Sequence, residues 1–225
     1  ESFTGFRGSG FLPAAMINFL ALLGWNPGTE QEIFTVDELI EQFDISKISK
    51  AGARFDYEKA KWFNQKYLAA MPNAAIAALI QPMAAEKNYR SDLPFLEKIA
   101  GLMKDRATFL PDFIKDGRFF FEQIDEFDRE MVAKKWNKTV AQIFVDFSEK
   151  LGKIEPFLPA ELEILAKNLL SEAGLKPGDL LPLFRAALAG NMKGPGVFET
   201  MEVLGLEETR RRLARAVAVF SENAG

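Results

Sequence analysis

The stretch GFLPAAMINFLALLGWNPG, residues 10–28, decides how the first part of this 225-residue chain folds. Pro13 suits the first turn of a helix, where its missing N–H is not needed, and Gly24 suits the position just past the helix end. Asn18 is the one polar interruption between them. Because apolar side chains cover nearly the whole circumference, we expect a central helix that is buried on several sides and is ended by the turn at 25–28. It is too short to cross a bilayer, which needs about 20 apolar residues.

The remainder of the chain repeats helical spacing with recognisable starts and stops. Thr35 and Glu38 form a capping box before an amphipathic segment, and Asp56 suits the cap of another helix. Pro82 stands in the path of an alanine-rich segment and should kink or end that helix, unless two short helices meet there. No alternating strand pairs and no hairpin turns of the Asn-Gly kind occur. The predicted fold class is therefore all-α.

Two aromatic features allow more than one interpretation. The run GRFFF at 117–121 permits a short strand centred on Phe120, but we interpret it as core contacts at a domain edge. Trp62 lies on a helix that also carries lysines, so its ring could serve to stack a base. Its helical spacing is more typical of a core residue, and we therefore assign it to the core.

Composition excludes several classes of function. The chain is 48% apolar, has no cysteine and no histidine, and carries no segment typical of a signal peptide or a transmembrane helix. Disulfides, thiolate metal sites and histidine general bases are therefore excluded, and structural zinc with them. We expect a monomeric cytoplasmic protein with no metal site, and with neither a membrane nor DNA as a partner.

The placement of charge is more informative than its sum. A net charge of −4 argues, taken alone, against a nucleic-acid binder. A binder needs only one basic face, however, and the summed charge does not report where that face lies. Basic residues cluster in the connector ISKISKAGARF, residues 45–55, and on the helix that follows it. This basic cluster consists of Lys47, Lys50, Arg54, Lys59, Lys61 and Lys66.

Nothing in the sequence assembles a catalytic centre. The carboxylate pairs Glu122 with Asp125 and Glu207 with Glu208 are interpreted as solvated helix surface. No glycine loop has the spacing that binds a nucleotide phosphate after a strand. A stripe of arginines near the end of the chain fits ordinary pairing one turn apart, and we favour a solvated face over phosphate contact for it. The stripe consists of Arg210, Arg211, Arg212 and Arg215.

Three motifs carry a resemblance to a known family. GFLPAAMINFLALLGW at 10–25, EIFTVDELI at 32–40 and FDYEKAKWFN at 55–64 resemble, in order and spacing, the segment after the second ATP-site signature of bacterial glutamyl-tRNA synthetases. From residue 69 onward the chain resembles the helical anticodon-binding region of that family, with its best match in PLFRAALAGNMKGPGVFE at 182–199. The resemblance implies a stem-contact domain at 1–68 and two helical anticodon-binding domains at 69–128 and 129–225.

The resemblance also says what this chain lacks. The chain begins ESFTGFRGS without a start methionine, and neither ATP-binding motif of the family is present. We therefore expect a piece of a longer protein that binds tRNA(Glu) and does no chemistry itself. By resemblance, the longer enzyme would join glutamate to tRNA using ATP and Mg²⁺, whereas this part would hold no cofactor. The basic cluster would contact the tRNA stem and its phosphates.

The resemblance assigns anticodon contacts to two arginines and a loop. Arg106 ends the segment LEKIAGLMKDR and aligns with the arginine that reads the third anticodon base in discriminating enzymes; the alternative is a cation at a helix C-terminus. Arg185 is flanked by core residues, and its alternative role is a salt bridge to a neighbouring helix. The resemblance places Arg185 beside the anticodon, with a loop that packs against unstacked bases. That loop consists of Lys193, Gly194, Pro195, Gly196 and Val197.

A second function class remains open at this stage. An all-helical protein–protein interaction module could hold a partner helix in an apolar groove. Such a groove would need neither the basic connector nor the glycine-rich loop at 194–196, and those two features therefore favour tRNA.

Overall fold

The computed structural model describes residues 5–50, 52–191 and 194–223, and the side chains of 131 and 223 lie outside the description. These residues form two compact units, Glu1–Asp116 and Gly117–Gly225. The division at 68 and 128 stays a prediction. Within the described residues the fold is all-α, as predicted, with 12 α-helices. They are α1 Pro13–Gly24, α2 Val36–Gln42, α3 Tyr57–Ala70, α4 Asn73–Glu86, α5 Leu93–Met103, α6 Leu110–Lys115, α7 Arg129–Lys135, α8 Lys138–Leu151, α9 Pro159–Glu172, α10 Pro177–Ala189, α11 Val197–Leu204 and α12 Leu206–Asn223.

Helix α1 is less deeply buried than its apolar sequence predicts. Met16 and Phe19 lie in a core with α3, but Ile17 and Leu20 are 48% and 49% exposed. The expectation of burial on several sides is therefore only partly right. The reason is that α3 and the segment around Phe34 cover two sides of α1, and the side that carries Ile17 and Leu20 is left to solvent.

Asn18, the polar interruption in α1, is fully buried and joins three segments. Its Oδ1 accepts a hydrogen bond from the backbone N–H of Phe34 at 2.9 Å. The Tyr67 hydroxyl on α3 lies 2.9 Å from the same Oδ1 and also contacts the Phe34 carbonyl. These contacts satisfy the oxygen of the buried amide and explain why a polar residue is retained in this core, although Nδ2 is buried without a partner among the described residues.

The helices begin where the sequence predicts, but one predicted helix end is not observed. Thr35 Oγ1 accepts from the Glu38 N–H at 3.1 Å, and the Glu38 carboxylate accepts from the Thr35 N–H at 2.7 Å, which is the predicted capping box. Asp56 caps α3 as expected. Pro82, by contrast, does not end its helix, because α4 continues through it from Asn73 to Glu86. Pro82 is exposed, so its ring does not disturb the packing of the inner face of α4.

The described residues of the second unit form a large core with aromatic rings at its centre. Phe144, Phe147, Phe184 and Phe220 are each at most 1% exposed, and they bring α8, α10 and α12 together. Phe120 is also buried, in a short 3₁₀ helix at Arg118–Phe120. The core interpretation of this aromatic run is therefore right, and the strand alternative is wrong.

In the described part of the chain no single helix is long and apolar enough to cross a membrane. Helices α3 and α4 reach that length only as a pair, which is bent by 113° at the junction.

Candidate nucleic-acid interface

Arg185 lies on α10 with its guanidinium half-buried and incompletely satisfied. Its Nε atom is buried and has no hydrogen-bond partner in the described part of the chain. Among residues 5–50, 52–191 and 194–223 its side chain forms none of the recorded ion pairs, so the predicted alternative of a salt bridge is not found there. A buried donor without a partner costs free energy. An acceptor placed beside this atom would remove that cost.

The residues beside Arg185 form a small pocket at the start of α11. Arg185 lines it together with Leu188, Ala189, Gly194, Pro195, Val197 and Thr200. The structure thus brings together Arg185 and three of the predicted loop residues. Gly196 is the residue immediately before α11, where its carbonyl accepts from the Thr200 hydroxyl at 2.7 Å. Lys193, the remaining predicted contact, lies outside the described residues.

Two of the predicted loop contacts are less exposed than expected. Pro195 and Val197 are buried, Val197 at 4% exposure, so their side chains serve mainly to pack the loop on α10 and α11. Gly194 has φ +151°, a conformation that L side chains rarely adopt, and it has open space where a Cβ would stand. The loop therefore offers backbone groups at Gly194 more than apolar side chains to any ligand.

Arg106 lies in the first unit, in the turn directly after α5. Its backbone N–H donates to the Met103 carbonyl at 2.9 Å, and its side chain is exposed. Ala107, the next residue, is buried, so the backbone that carries Arg106 is anchored while the guanidinium is not. This geometry suits both the helix-end cation and the contact to a base.

The basic cluster is only partly free. Lys59 pairs with Glu32 and lies 5.2 Å from the Trp62 ring, and Lys61 pairs with Glu58 at 2.8 Å. Each of these charges is already partly compensated. Trp62 itself packs against the core shared by α1 and α3, in agreement with the prediction, but it is only half-buried.

The other four cations of the cluster are exposed. Lys47 donates to the Pro27 carbonyl at 3.1 Å, and Lys66 lies 5.6 Å from the Trp62 ring. Lys50 and Arg54 form none of the recorded ion pairs within the described ranges. Lys50 and Arg54 are therefore the two members of the cluster best placed to bind a phosphate.

The arginine stripe on α12 is only partly the solvated face that the sequence predicts: Arg210 and Arg211 are exposed, and the expected pairing one turn apart is present, but Arg212 is buried and Arg215 is half-buried. Arg212 is 5% exposed, donates through Nε to Glu208 at 2.7 Å and through Nη2 to the Glu122 carbonyl at 2.9 Å. Arg215 binds Asp125 at 2.7 Å. Arg211 binds Glu208, also at 2.7 Å. Helical spacing could have predicted that Arg212 is buried. It lies on the same face of α12 as Thr209 and Ala216, which are both fully buried.

The interpretation of the two carboxylate pairs as helix surface needs the same correction. Glu122 and Asp125 do not lie on a helix, and Asp125 is held by Arg215. Glu208 is partly buried between two guanidinium groups. Hydrogen bonds from Arg211, and then from Arg212, lower the pKa of Glu208 below 4.5, the value of an unperturbed glutamate, against the opposing effect of burial.

The lowered pKa predicts how stability changes with pH. Because protonation favours the unfolded chain, the contribution of Glu208 is complete above pH 4.5 and is lost as the pH falls through the folded-state pKa. We expect Glu208→Gln to lower the free energy of unfolding by about 1 kcal/mol at pH 7 and to make little difference near pH 3. Urea unfolding at both pH values measures this, with Glu207→Gln as the exposed control. An equal loss at both pH values would contradict the assignment.

Within the described residues no group of three or more histidine, cysteine, aspartate or glutamate side chains is arranged to hold a metal ion. The candidate contacts are the guanidinium groups of Arg106 and Arg185, the exposed cations of the basic cluster and the backbone at Gly194. Such donors suit phosphates and the carbonyl and ring nitrogen acceptors of bases.

Two family models match the chain. The model described as "Anticodon binding domain" matches residues 58–217, and the model described as "tRNA synthetases class I (E and Q), catalytic domain" matches residues 3–62. The first of these spans most of the chain.

Individual relatives agree with the family models. Glutamate–tRNA ligases of Phocaeicola vulgatus and Bacteroides thetaiotaomicron are 39% and 41% identical over 220 residues, which is 98% of this chain and 44% of theirs. A crystal structure of a glutamate tRNA ligase from Elizabethkingia meningosepticum superposes with a TM-score of 0.90 at 40% identity, over 96% of this chain and 43% of that one. The chain thus spans less than half the length of the relatives that it matches. These matches confirm the resemblance that the sequence motifs indicated.

Proposed function

The chain belongs to the anticodon-binding domain family and corresponds to the C-terminal part of glutamate–tRNA ligases, and from this premise we propose that it binds tRNA(Glu) and recognises its anticodon. One observation carries the proposal. The buried Nε of Arg185 lacks a partner beside a glycine-rich loop, and an unstacked base or its phosphate would supply the missing acceptor.

Arg185 and the loop form the first part of the proposed anticodon site. Gly194 leaves room for the backbone to come close to a base, and Thr200 anchors the start of α11 through the Gly196 carbonyl. The proposal includes Lys193 with this loop on the strength of the resemblance. The buried side chains of Pro195 and Val197 would hold the loop in shape rather than cover the base.

Arg106 is the proposed reader of the third anticodon base. Its backbone is anchored next to buried Ala107, and its guanidinium is exposed without a recorded partner in the described parts of the chain. A guanidinium presents donors in a fixed fork, which suits the O2 and N3 acceptors of cytosine.

The basic cluster is proposed to contact the tRNA stem. Lys50 and Arg54 would bind phosphates directly, whereas Lys59 and Lys61 would first have to leave Glu32 and Glu58. Phosphate contacts set the position of the tRNA but carry no sequence information.

We propose further that the longer protein is an ATP-dependent glutamate–tRNA ligase that uses Mg²⁺, and that it acts in the cytoplasm as a monomer. Neither ATP-binding motif lies in these 225 residues. This part would hold the tRNA while a catalytic part joins glutamate to its end. The alternative of a protein–protein interaction module is not favoured, because both family models are of tRNA synthetase parts.

Binding of the full 225-residue chain to transcribed tRNA(Glu), measured at two salt concentrations, tests the proposed function. We expect binding that weakens steeply with salt, because cations replace counterions on the phosphates. A tRNA with an unrelated anticodon serves as the control. Absence of binding at low salt, or equal binding of both tRNAs, would refute anticodon recognition.

Neutralising Lys50 and Arg54, which form none of the recorded ion pairs within the described ranges, separates stem contact from anticodon reading. We expect the double variant Lys50→Gln, Arg54→Gln to bind every tRNA about five- to tenfold more weakly and with a shallower salt dependence. The matched control neutralises Lys134 and Lys167, which lie in the second unit and pair with Glu130 and Glu163. A loss confined to one anticodon would contradict the stem-contact assignment.

A further inference from the structure

Three arginines of α12 hold one irregular segment of the second unit, residues 122–128. Arg211 donates to the Gln123 side chain at 2.7 Å, Arg212 donates to the Glu122 carbonyl at 2.9 Å, and Arg215 donates to the Ile124 carbonyl and to Asp125. We name this set, Arg211, Arg212 and Arg215, the arginine clamp. The Glu122 carbonyl is 90 residues away from Arg212 in the sequence, so the clamp ties α12 to a distant segment.

The clamp also holds the end of α10. A second nitrogen of Arg212, Nη1, donates to the carbonyl of Leu188. Leu188 is in the last turn of α10 and lines the same pocket as Arg185 and Gly194. The contact at Leu188 therefore lies one helical turn from the unsatisfied guanidinium of Arg185.

The clamped segment packs tightly against the residue that ends α10. Gly190 adopts φ +79°, and a Cβ there would come within 2.7 Å of the Glu126 carbonyl. The Gly190 carbonyl in turn accepts from the Asp128 N–H at 3.1 Å. Gly190 is the point at which the chain leaves α10 for the loop, so the segment and the clamp together set the direction in which the loop starts.

We infer that Arg212 is a positioning residue for the anticodon site: it holds the end of α10, and thereby the pocket that Arg185 forms with Gly194, Pro195 and Val197, in the shape that receives the tRNA. The inference rests on the proposed function of that pocket. Arg212 itself touches no tRNA, since it is 5% exposed and its donors are directed at Glu208, Glu122 and Leu188.

The chemistry of the guanidinium explains why arginine stands here. One planar group reaches two backbone carbonyls and a carboxylate at once, in a fixed fork. The charge that this places in the interior is compensated by Glu208. A lysine at the same position would keep the charge but could not span the three acceptors. Arg212→Lys therefore tests the positioning contacts without removing the charge.

The test compares Arg212→Lys with Arg210→Lys in the full chain. Arg210 lies on the same helix, is exposed, and forms none of the hydrogen bonds recorded within the described ranges, so the control makes the same chemical change without touching the clamp. We expect Arg212→Lys to bind tRNA(Glu) about tenfold more weakly at a temperature where circular dichroism shows it folded. The slope of affinity against salt should not change, because no phosphate contact is lost. Amide exchange at Gly190 and Asp128 should accelerate.

The outcomes are distinct. Wild-type affinity in folded Arg212→Lys, unchanged exchange at Gly190 and Asp128, or a salt slope reduced by about one would each overturn the inference, the last because it indicates a direct phosphate contact. If Arg212→Lys does not fold, Arg212→Met removes the donors and the buried charge together, and a folded Arg212→Met chain with wild-type affinity would overturn the inference equally. Absence of binding by the unaltered chain would refute the proposed function instead, and the exchange comparison would still decide whether Arg212 holds α10.

Discussion

Replacing Arg185 by methionine is expected to weaken tRNA(Glu) binding by about ten- to a hundredfold and to leave the free chain as stable as before or more stable. Affinity is expected to fall while stability does not, and both effects have one physical reason. The buried Nε of Arg185 has no partner among the residues that the structure describes, so it bears a desolvation cost that an acceptor on a bound ligand would offset. Methionine fills a similar volume without a polar atom, which removes both the cost and the contact.

The measurement is paired: affinity for tRNA(Glu) and the midpoint of thermal unfolding in the same buffer. Arg210→Met is the control, because it removes an exposed charge from the same unit. If Arg185 instead forms a structural ion pair, Arg185→Met would lower the unfolding midpoint. An Arg185→Met chain that is less stable but binds tRNA(Glu) with unchanged affinity would therefore contradict both the expected stability and the expected loss of binding.

Arg106→Gln is expected to relax the choice between tRNA(Glu) and tRNA(Gln). These tRNAs share the middle anticodon base and differ at the third, which is C in one and G in the other. An arginine fork donates to O2 and N3 of cytosine, but it would face the N1–H and N2–H₂ donors of guanine and stay partly unpaired. The mismatch corresponds to about ten- to a hundredfold in preference. A carboxamide can turn to offer a donor or an acceptor, so glutamine should accept both bases.

The ratio of the two affinities is the quantity to measure. Lys104→Gln, on the same turn after α5, controls for the loss of one positive charge. Arg106→Lys adds a second comparison, since it keeps the charge without the fork. An unaltered ratio in Arg106→Gln would contradict base recognition. Arg106 would then be only a cation at the end of α5 that interacts favourably with the helix dipole.

Some features were decided by the sequence alone. The helical class, the capping box of Thr35 and Glu38, and the end of α10 at Gly190 all follow from residues no more than four positions apart. Local hydrogen bonds and backbone preferences act over that distance, which is why periodicity and caps predict them. The family resemblance also lies in continuous motifs, so the order and spacing of residues along the chain are enough to reveal it.

Other features were decided only by the tertiary structure. Arg212 belongs to a stripe that looks solvated in sequence, yet it is buried because acceptors at Glu122 and Leu188 converge on it. Pro82 should stop a helix, but α4 continues through it, with Ile76, Ile80 and Ala84 buried on the face that packs. Asn18 interrupts an apolar run and is retained because Phe34 and Tyr67 meet it there. In each case the deciding partner is a group, or a surface, that packing brings to the residue. A buried polar group is stable where packing supplies hydrogen-bond partners, and the spacing of residues in the sequence does not show which distant groups will be those partners.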